Sequence, residues 1–207
     1  NLTNIGSIQA GELNLTSGGT FAAKTDYITA SSPQSVVIGD VNGDDRPDLV
    51  SVNSTGANIS VFINNGNGTF AAKTDYTTGT GPTGLAIGDV NGDGKADLIS
   101  ANYQAGAGTT VSVFMNNGNG TFATRINYTT AAGPRAVAAK DLNGDGKIDI
   151  VTSNFASNNI SVLLNRGNGT FGVKTDYTTG TAPYSVAVGD MNGDGATDIA
   201  TANYSGP

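Results

Sequence analysis

Asp89-Val-Asn-Gly-Asp-Gly-Lys-Ala-Asp97 is the stretch that decides the reading of this chain, because near-copies of it occur three more times. They are Asp40-Val-Asn-Gly-Asp-Asp-Arg-Pro-Asp48, Asp141-Leu-Asn-Gly-Asp-Gly-Lys-Ile-Asp149 and Asp190-Met-Asn-Gly-Asp-Gly-Ala-Thr-Asp198. Thirteen of the 17 acidic residues lie inside these loops, so the chain's negative charge is concentrated, not spread. Like charges packed into nine residues repel one another unless a cation offsets them. Side-chain oxygens fall at position 1 (Asp40, Asp89, Asp141, Asp190), position 3 (Asn42, Asn91, Asn143, Asn192) and position 5 (Asp44, Asp93, Asp145, Asp194). The backbone carbonyl of position 7 (Arg46, Lys95, Lys147, Ala196) and a carboxylate at position 9 (Asp48, Asp97, Asp149, Asp198) complete an all-oxygen set. Such a set suits Ca²⁺, which takes six to eight hard oxygen ligands in flexible geometry. One Ca²⁺ per repeat, four in all, is the expectation. Position 6 must tolerate positive φ, which glycine does at Gly94, Gly146 and Gly195. Loop one has Asp45 there and is expected to be the distorted one.

Outward from the loops, the chain repeats. Successive loops begin at Asp40, Asp89, Asp141 and Asp190, spacings of about 50 residues that indicate a propeller, a solenoid or an array. Each unit holds four short runs. Run A is small and apolar and leads into the loop, as in Leu85-Ala-Ile-Gly88; a proline (Pro33, Pro82, Pro134, Pro183) stands ahead of each. Run B leaves the loop, as in Leu98 to Asn102. Run C alternates, as in Ile59-Ser-Val-Phe-Ile63, and a Gly-Asn-Gly-Thr-Phe turn leads to run D near Tyr76, Tyr128 or Tyr177. Runs of this length divided by Gly and Asn read as antiparallel hairpins. Four per unit make one propeller blade with run A innermost. A parallel β-helix would need much shorter coils. The expected fold is therefore an all-β propeller of about four four-stranded antiparallel blades. Residues 1–10 read as an N-terminal extension and residues 11–207 as the repeat array. The last unit stops after runs A and B. The first begins with a C-like Leu13-Asn-Leu15 and a D-like stretch to Tyr27. That N-terminal half-blade is expected to complete the C-terminal one, within the chain or between chains.

The loops resemble FG-GAP/VCBS-type repeats on three counts: the Asp-x-Asn-Gly-Asp-Gly-x-x-Asp core, the upstream Pro-x-x-Val-Ala-x-Gly and the downstream Asn-x-Gly-Asn-Gly-Thr-Phe. The resemblance runs from about Leu13 to Asn203. It implies the propeller of integrin α-subunits and certain fungal lectins, calcium in the A–B loop, an extracellular or cell-surface setting, and a role in adhesion or glycan recognition. The chain departs from the pattern at Asp45 and Lys140, where glycine is usual, and in having fewer repeats than such rings commonly have.

Composition narrows the function. Without His or Cys, the chain has no histidine triad, thiol nucleophile or His-ligated zinc site. Its paired carboxylates lie where a cation would keep them ionised, so no glycosidase-like acid is expected. The reading is non-catalytic. A formal net charge of −7 argues against nucleic acid, and no apolar run is long enough to span a membrane. The chain starts at Asn1 without a signal-like segment, as a mature secreted product would. Run A ends at the metal loop, so the B–C and D–A connections lie on the opposite face, where Tyr103, Phe155, Tyr184 and Tyr204 are candidates to stack on a sugar or a partner. The same rings could instead wedge between blades as packing. Expected partners are a glycan or an extracellular protein, with self-association through the half-blades. Two further readings stay open: a subunit polymerised by half-blade strand exchange, and an accessory propeller of a larger secreted enzyme.

Overall fold

A computed structural model describes residues 24–204 and the backbone of residues 7–10. Three complete antiparallel sheets follow one another along the chain. The first comprises β3 (Pro33–Gly39), β4 (Asp48–Asn53), β5 (Asn58–Phe62) and β6 (Thr74–Thr77). The second comprises β7 (Pro82–Gly88), β8 (Asp97–Asn102), β9 (Thr110–Phe114) and β10 (Ile126–Thr129). The third comprises β11 (Pro134–Lys140), β12 (Asp149–Asn154), β13 (Asn159–Leu163) and β14 (Thr175–Thr178). Two-stranded sheets flank them: β1 (Ser7–Ala10) with β2 (Thr25–Ile28), and β15 (Pro183–Gly189) with β16 (Asp198–Asn203). No α-helix occurs among the described residues, only one short 3₁₀ turn at Gln104–Gly106 in the longest B–C connection.

Strands β3, β7, β11 and β15 stand side by side in chain order, which makes run A the inner strand of each blade. The approach is close enough to dictate residue size. A Cβ on Gly84 would sit 2.9 Å from Ala136 Cα and from the Arg135 carbonyl oxygen, so only glycine fits between β7 and β11. The prolines are the first residues of these strands, a position where the missing N–H costs no ladder bond. Each A strand then carries a bulge: Pro134 pairs with Asn154, but Ala136 pairs with Ser153, leaving Arg135 as the extra residue. The same break leaves Gln34, Thr83 and Tyr184 extra in their blades.

The core lies between blades. Strands β4, β8 and β12 are buried along their whole length. Val50, Val52, Ile59 and Val61 pack against Leu85, Leu98 and Phe114 of the next blade. Ile99, Val111 and Val113 do the same with Val137, Ile150 and Leu163. Aromatic pairs staple each D strand to the next blade's Thr-Phe turn edge-on: Tyr27 to Phe70, Tyr76 to Phe122 and Tyr128 to Phe171, with centroids 5.3, 5.5 and 5.0 Å apart.

Two expectations change. The strand that pairs with β2 is Ser7–Ala10, within the stretch read as an extension; Leu13-Asn-Leu15 lies outside the described residues. The half-blades also do not complete each other within the chain. Sheet β1–β2 precedes the first blade and β15–β16 follows the third, as separate sheets, and the array is an incomplete propeller.

Candidate functional site

Each acidic loop is a turn whose side chains fold back on its own backbone. Asp89 Oδ1 accepts from the N–H groups of Gly92 and Asp93, and its Oδ2 from Gly94 at 2.7 Å. Asn91 Oδ1 accepts from Asp93 N at 2.9 Å, and Asp93 Oδ1 from Lys95 N at 3.0 Å. The Asn91 and Asp93 bonds are Asx turns, each closing on the residue two further on, while Asp89 gathers N–H groups three to five residues ahead. Loops one, three and four repeat them. Loop one is not distorted: Asp45 takes φ 60°, and its N–H reaches Asp40 Oδ2 at 2.7 Å as Gly94 does in loop two.

The position-9 carboxylates behave differently. Asp48, Asp97 and Asp149 are fully buried. One oxygen accepts from the second loop residue (Val41, Val90 or Leu142), and the other from the end of strand C (Asn64, Asn116 or Asn165), at 2.8–3.0 Å. Position 9 therefore ties the A–B hairpin to strand C, a role the sequence reading did not assign. Asp198, followed by no C strand among the described residues, keeps there the bond from Met191 N.

Burial raises the pKa of Asp48, Asp97 and Asp149; two backbone N–H bonds each pull the other way, and the neighbouring loop aspartates push up again. Asp40, Asp141 and Asp190, at position 1, go in the opposite direction. The Gly146 N–H, backed by Gly144, holds the Asp141 carboxyl below its usual range, and Gly195 with Gly193 does so for Asp190. Slight desolvation raises Asp40, but the N–H groups of residues 42 to 45 outweigh it. A second feature was also missed. The position-7 side chains Arg46, Lys95 and Lys147 form ion pairs with the position-5 aspartates at 3.3, 3.4 and 2.9 Å, which Ala196 cannot do.

Among the described residues, no three carboxylates lie close enough together to form a ready-made metal cluster. The donor set itself fits Ca²⁺. Every candidate ligand is an oxygen, the ionised forms of Asp40, Asp141 and Asp190 are favoured, and each carboxylate oxygen of position 9 has a lone pair beyond the one its N–H uses.

On the opposite face, the four aromatic candidates come together. Tyr103, Phe155 and Tyr204 each begin a B–C connection, held by a backbone bond from its own N–H to the D–A connection (Gly81, Gly133 and Ala182 carbonyls) at 2.8–3.1 Å. Tyr184 joins them from the bulge of β15. Phe155 lies 6.0 Å from Tyr103, 6.3 Å from Tyr184 and 6.2 Å from Tyr204, and Tyr184 stacks on Tyr204 at 5.9 Å. Arg135 sits among them and was not anticipated. Its signal was available, as the one cation at the start of a run A, but its placement depends on a bulge that sequence periodicity does not show.

The profile of the FG-GAP-like repeat matches residues 40–100, 89–152 and 141–201. An Agrocybe aegerita lectin, solved for its recognition of non-reducing terminal N-acetylglucosamine, is similar in structure, with 22% identity and a TM-score of 0.52, over 90% of this chain and 49% of the lectin. BBS1N, solved in complex with ARL6DN, is similar over 84% of this chain and 52% of its own, with 14% identity and a TM-score of 0.58. The chain thus spans about half the length of each, and at these identities the likeness shows the fold. No curated protein matches the chain in sequence.

Proposed function

The chain belongs to the FG-GAP-like repeat family, and on that premise we propose a non-catalytic, calcium-stabilised recognition module that works outside the cell and binds glycan on the face opposite its acidic loops. One observation carries the reading: Tyr103, Phe155, Tyr184 and Tyr204, from three successive repeats, converge on one patch. Tyr103 and Phe155 are half-buried in this patch and Tyr184 and Tyr204 are exposed. Exposed ring faces beside polar groups suit the apolar faces and hydroxyls of sugars. The Agrocybe aegerita lectin's recognition of a terminal N-acetylglucosamine is in keeping with a glycan partner, and the BBS1N complex with ARL6DN is equally in keeping with a protein one.

In loop two, Asp89, Asn91, Asp93, Asp97 and the Lys95 carbonyl would hold the ion, with the matching residues in the other loops. Bound Ca²⁺ supplies positive charge against the clustered carboxylates. Lys95 would give up its pairing with Asp93 as this happens. Because the ion binds the folded loop alone, it stabilises by mass action. Removing calcium with excess chelator is expected to lower Tm markedly, by about 5 °C or more for a stabilisation of a few kcal/mol. In titration calorimetry, Asp93→Asn with Asp97→Asn is expected to bind one ion fewer; an unchanged count would refute the ligand assignment. A glycan array silent throughout would refute the recognition reading.

A structural subunit joined by strand exchange is the second reading. It is favoured by the outer edges of β16 and β1, both unpaired among the described residues and matching as runs B and C of one blade. Sedimentation in calcium tests it: concentration-independent monomer excludes it.

A further inference from the structure

From the structure we infer that the aromatic patch is an acid-reading site, in which Arg135 takes the carboxylate of an acidic sugar such as a terminal uronate. The inference rests on the glycan-recognition reading and narrows its ligand class.

Arg135 owes its position to the β11 bulge, and a bulge is a common device for re-aiming a side chain beside a functional site. The guanidinium carbon lies 3.6 Å from the Tyr184 ring centroid, 5.0 Å from Tyr103 and 5.8 Å from Phe155. Aromatic faces hold a guanidinium by cation–π attraction and cover its flat sides. What they leave is its rim of in-plane N–H donors. One, on Nη2, goes to the Tyr184 hydroxyl. Nε is buried and makes no hydrogen bond among the described residues. Arg135 also takes part in none of the ion pairs found there. In a chain whose cations mostly face carboxylates, this one is pre-set on an aromatic platform without one. The acceptor geometry that matches a guanidinium rim best is a carboxylate held by two parallel bonds.

The surroundings favour a sugar. Arg135 and Tyr184 line a recess of about 350 Å³ where the four A strands converge, with Gln34, Ser35 and Thr83 across from them. These neutral polar groups suit hydroxyls, and Tyr204, stacked on Tyr184 and exposed, offers ring surface beside the recess. The recess is compact, unlike the long sheet edge that takes up an extended peptide.

The test is titration calorimetry of the full chain in calcium with digalacturonate, its dimethyl ester and the neutral digalactoside. Digalacturonate is expected to bind, to weaken with added salt, and to lose at least tenfold in affinity in Arg135→Met, with Arg135→Lys between. The ester, tested on the unaltered chain, is expected to lose the same factor, so the result does not depend on a variant that folds. Equal binding of acid and ester, or of the unaltered chain and Arg135→Met, would overturn the inference while leaving glycan recognition standing. So would an acidic peptide bound more tightly than digalacturonate and sensitive to Arg135. Silence toward these three sugars alongside a silent glycan array would fell the recognition reading itself.

Discussion

Loop two and loop four share one nine-residue pattern, the same Asx turns and the same positive-φ glycine, yet they sit in unlike surroundings. Asp97 is fully buried, and its carboxylate closes on Val90 N and on Asn116 N at the end of strand C. Asp198 is half-buried and, among the described residues, holds Met191 N alone. Val90 is 1% exposed beneath the next blade, while its counterpart Met191 is 58% exposed. The turn is thus a local product of its residues, and its contribution to the fold depends on the C strand and the neighbour that dock on it. Alanine at the two carboxylates sharpens this most. In excess chelator, so that no metal contributes, Asp97→Ala strands two buried N–H groups and is expected to cost about 2–5 kcal/mol in denaturant unfolding. Asp198→Ala strands one exposed N–H and is expected to cost about 1 kcal/mol or less. Equal losses would show that position 9 acts within the loop alone.

The interface between blades gives the next contrast. Asn116 Nδ2 donates to Ala96 O at 2.8 Å in its own blade and to Val41 O at 3.0 Å in the preceding loop. Asn165 repeats this with Ile148 and Val90 at 2.7 Å each. Among the described residues, the Asn64 amide in the first complete blade reaches Pro47 O alone. The amide is thus a two-handed clip at Asn116 and Asn165 and a one-handed one, among the described residues, at Asn64. Asn116→Ala is expected to cost about 1–3 kcal/mol, and Asn64→Ala about 1 kcal/mol less than that, the difference being one buried bond. Thermal melts of the pair check it, and no difference would place the clip's value inside the blade.

These contrasts mark what was legible in the sequence. The strands, their order in the blade and the inner place of run A follow from the period, the glycine-rich turns and the small residues before each loop. Positive φ at position 6 was legible too, since loop chemistry demands it. The four aromatic residues could be assigned to one face because A–B loops and B–C connections must lie at opposite ends of a hairpin. Their convergence around Arg135 could not, because it depends on the one-residue bulge and on the rotation between blades. Asp75 and Asp176 each accept from a buried serine hydroxyl, Ser60 or Ser161, that continues inward to Asn53 or Asn154. A hydrogen-bond chain across three strands has no linear signature.

The smallest effect separates the covered and uncovered ends of the tyrosine series. Tyr76 and Tyr128 occupy the same D-strand position, stacked edge-on against the next blade's phenylalanine. The Tyr128 hydroxyl donates to Gly169 O at 3.1 Å, and the Tyr76 hydroxyl accepts from Phe122 N at 3.3 Å. Tyr177 holds that position in the last complete blade, where no following Thr-Phe turn covers it, and it is exposed. Deleting the hydroxyl alone keeps the ring contact, so Tyr128→Phe is expected to cost only one hydrogen bond, about 0.5–1.5 kcal/mol, and Tyr177→Phe nothing measurable. Chemical-denaturation midpoints of the two variants decide the point. A matching loss at Tyr177 would mean that another surface covers it in solution, and the loss would then have to depend on protein concentration if that surface were a second copy.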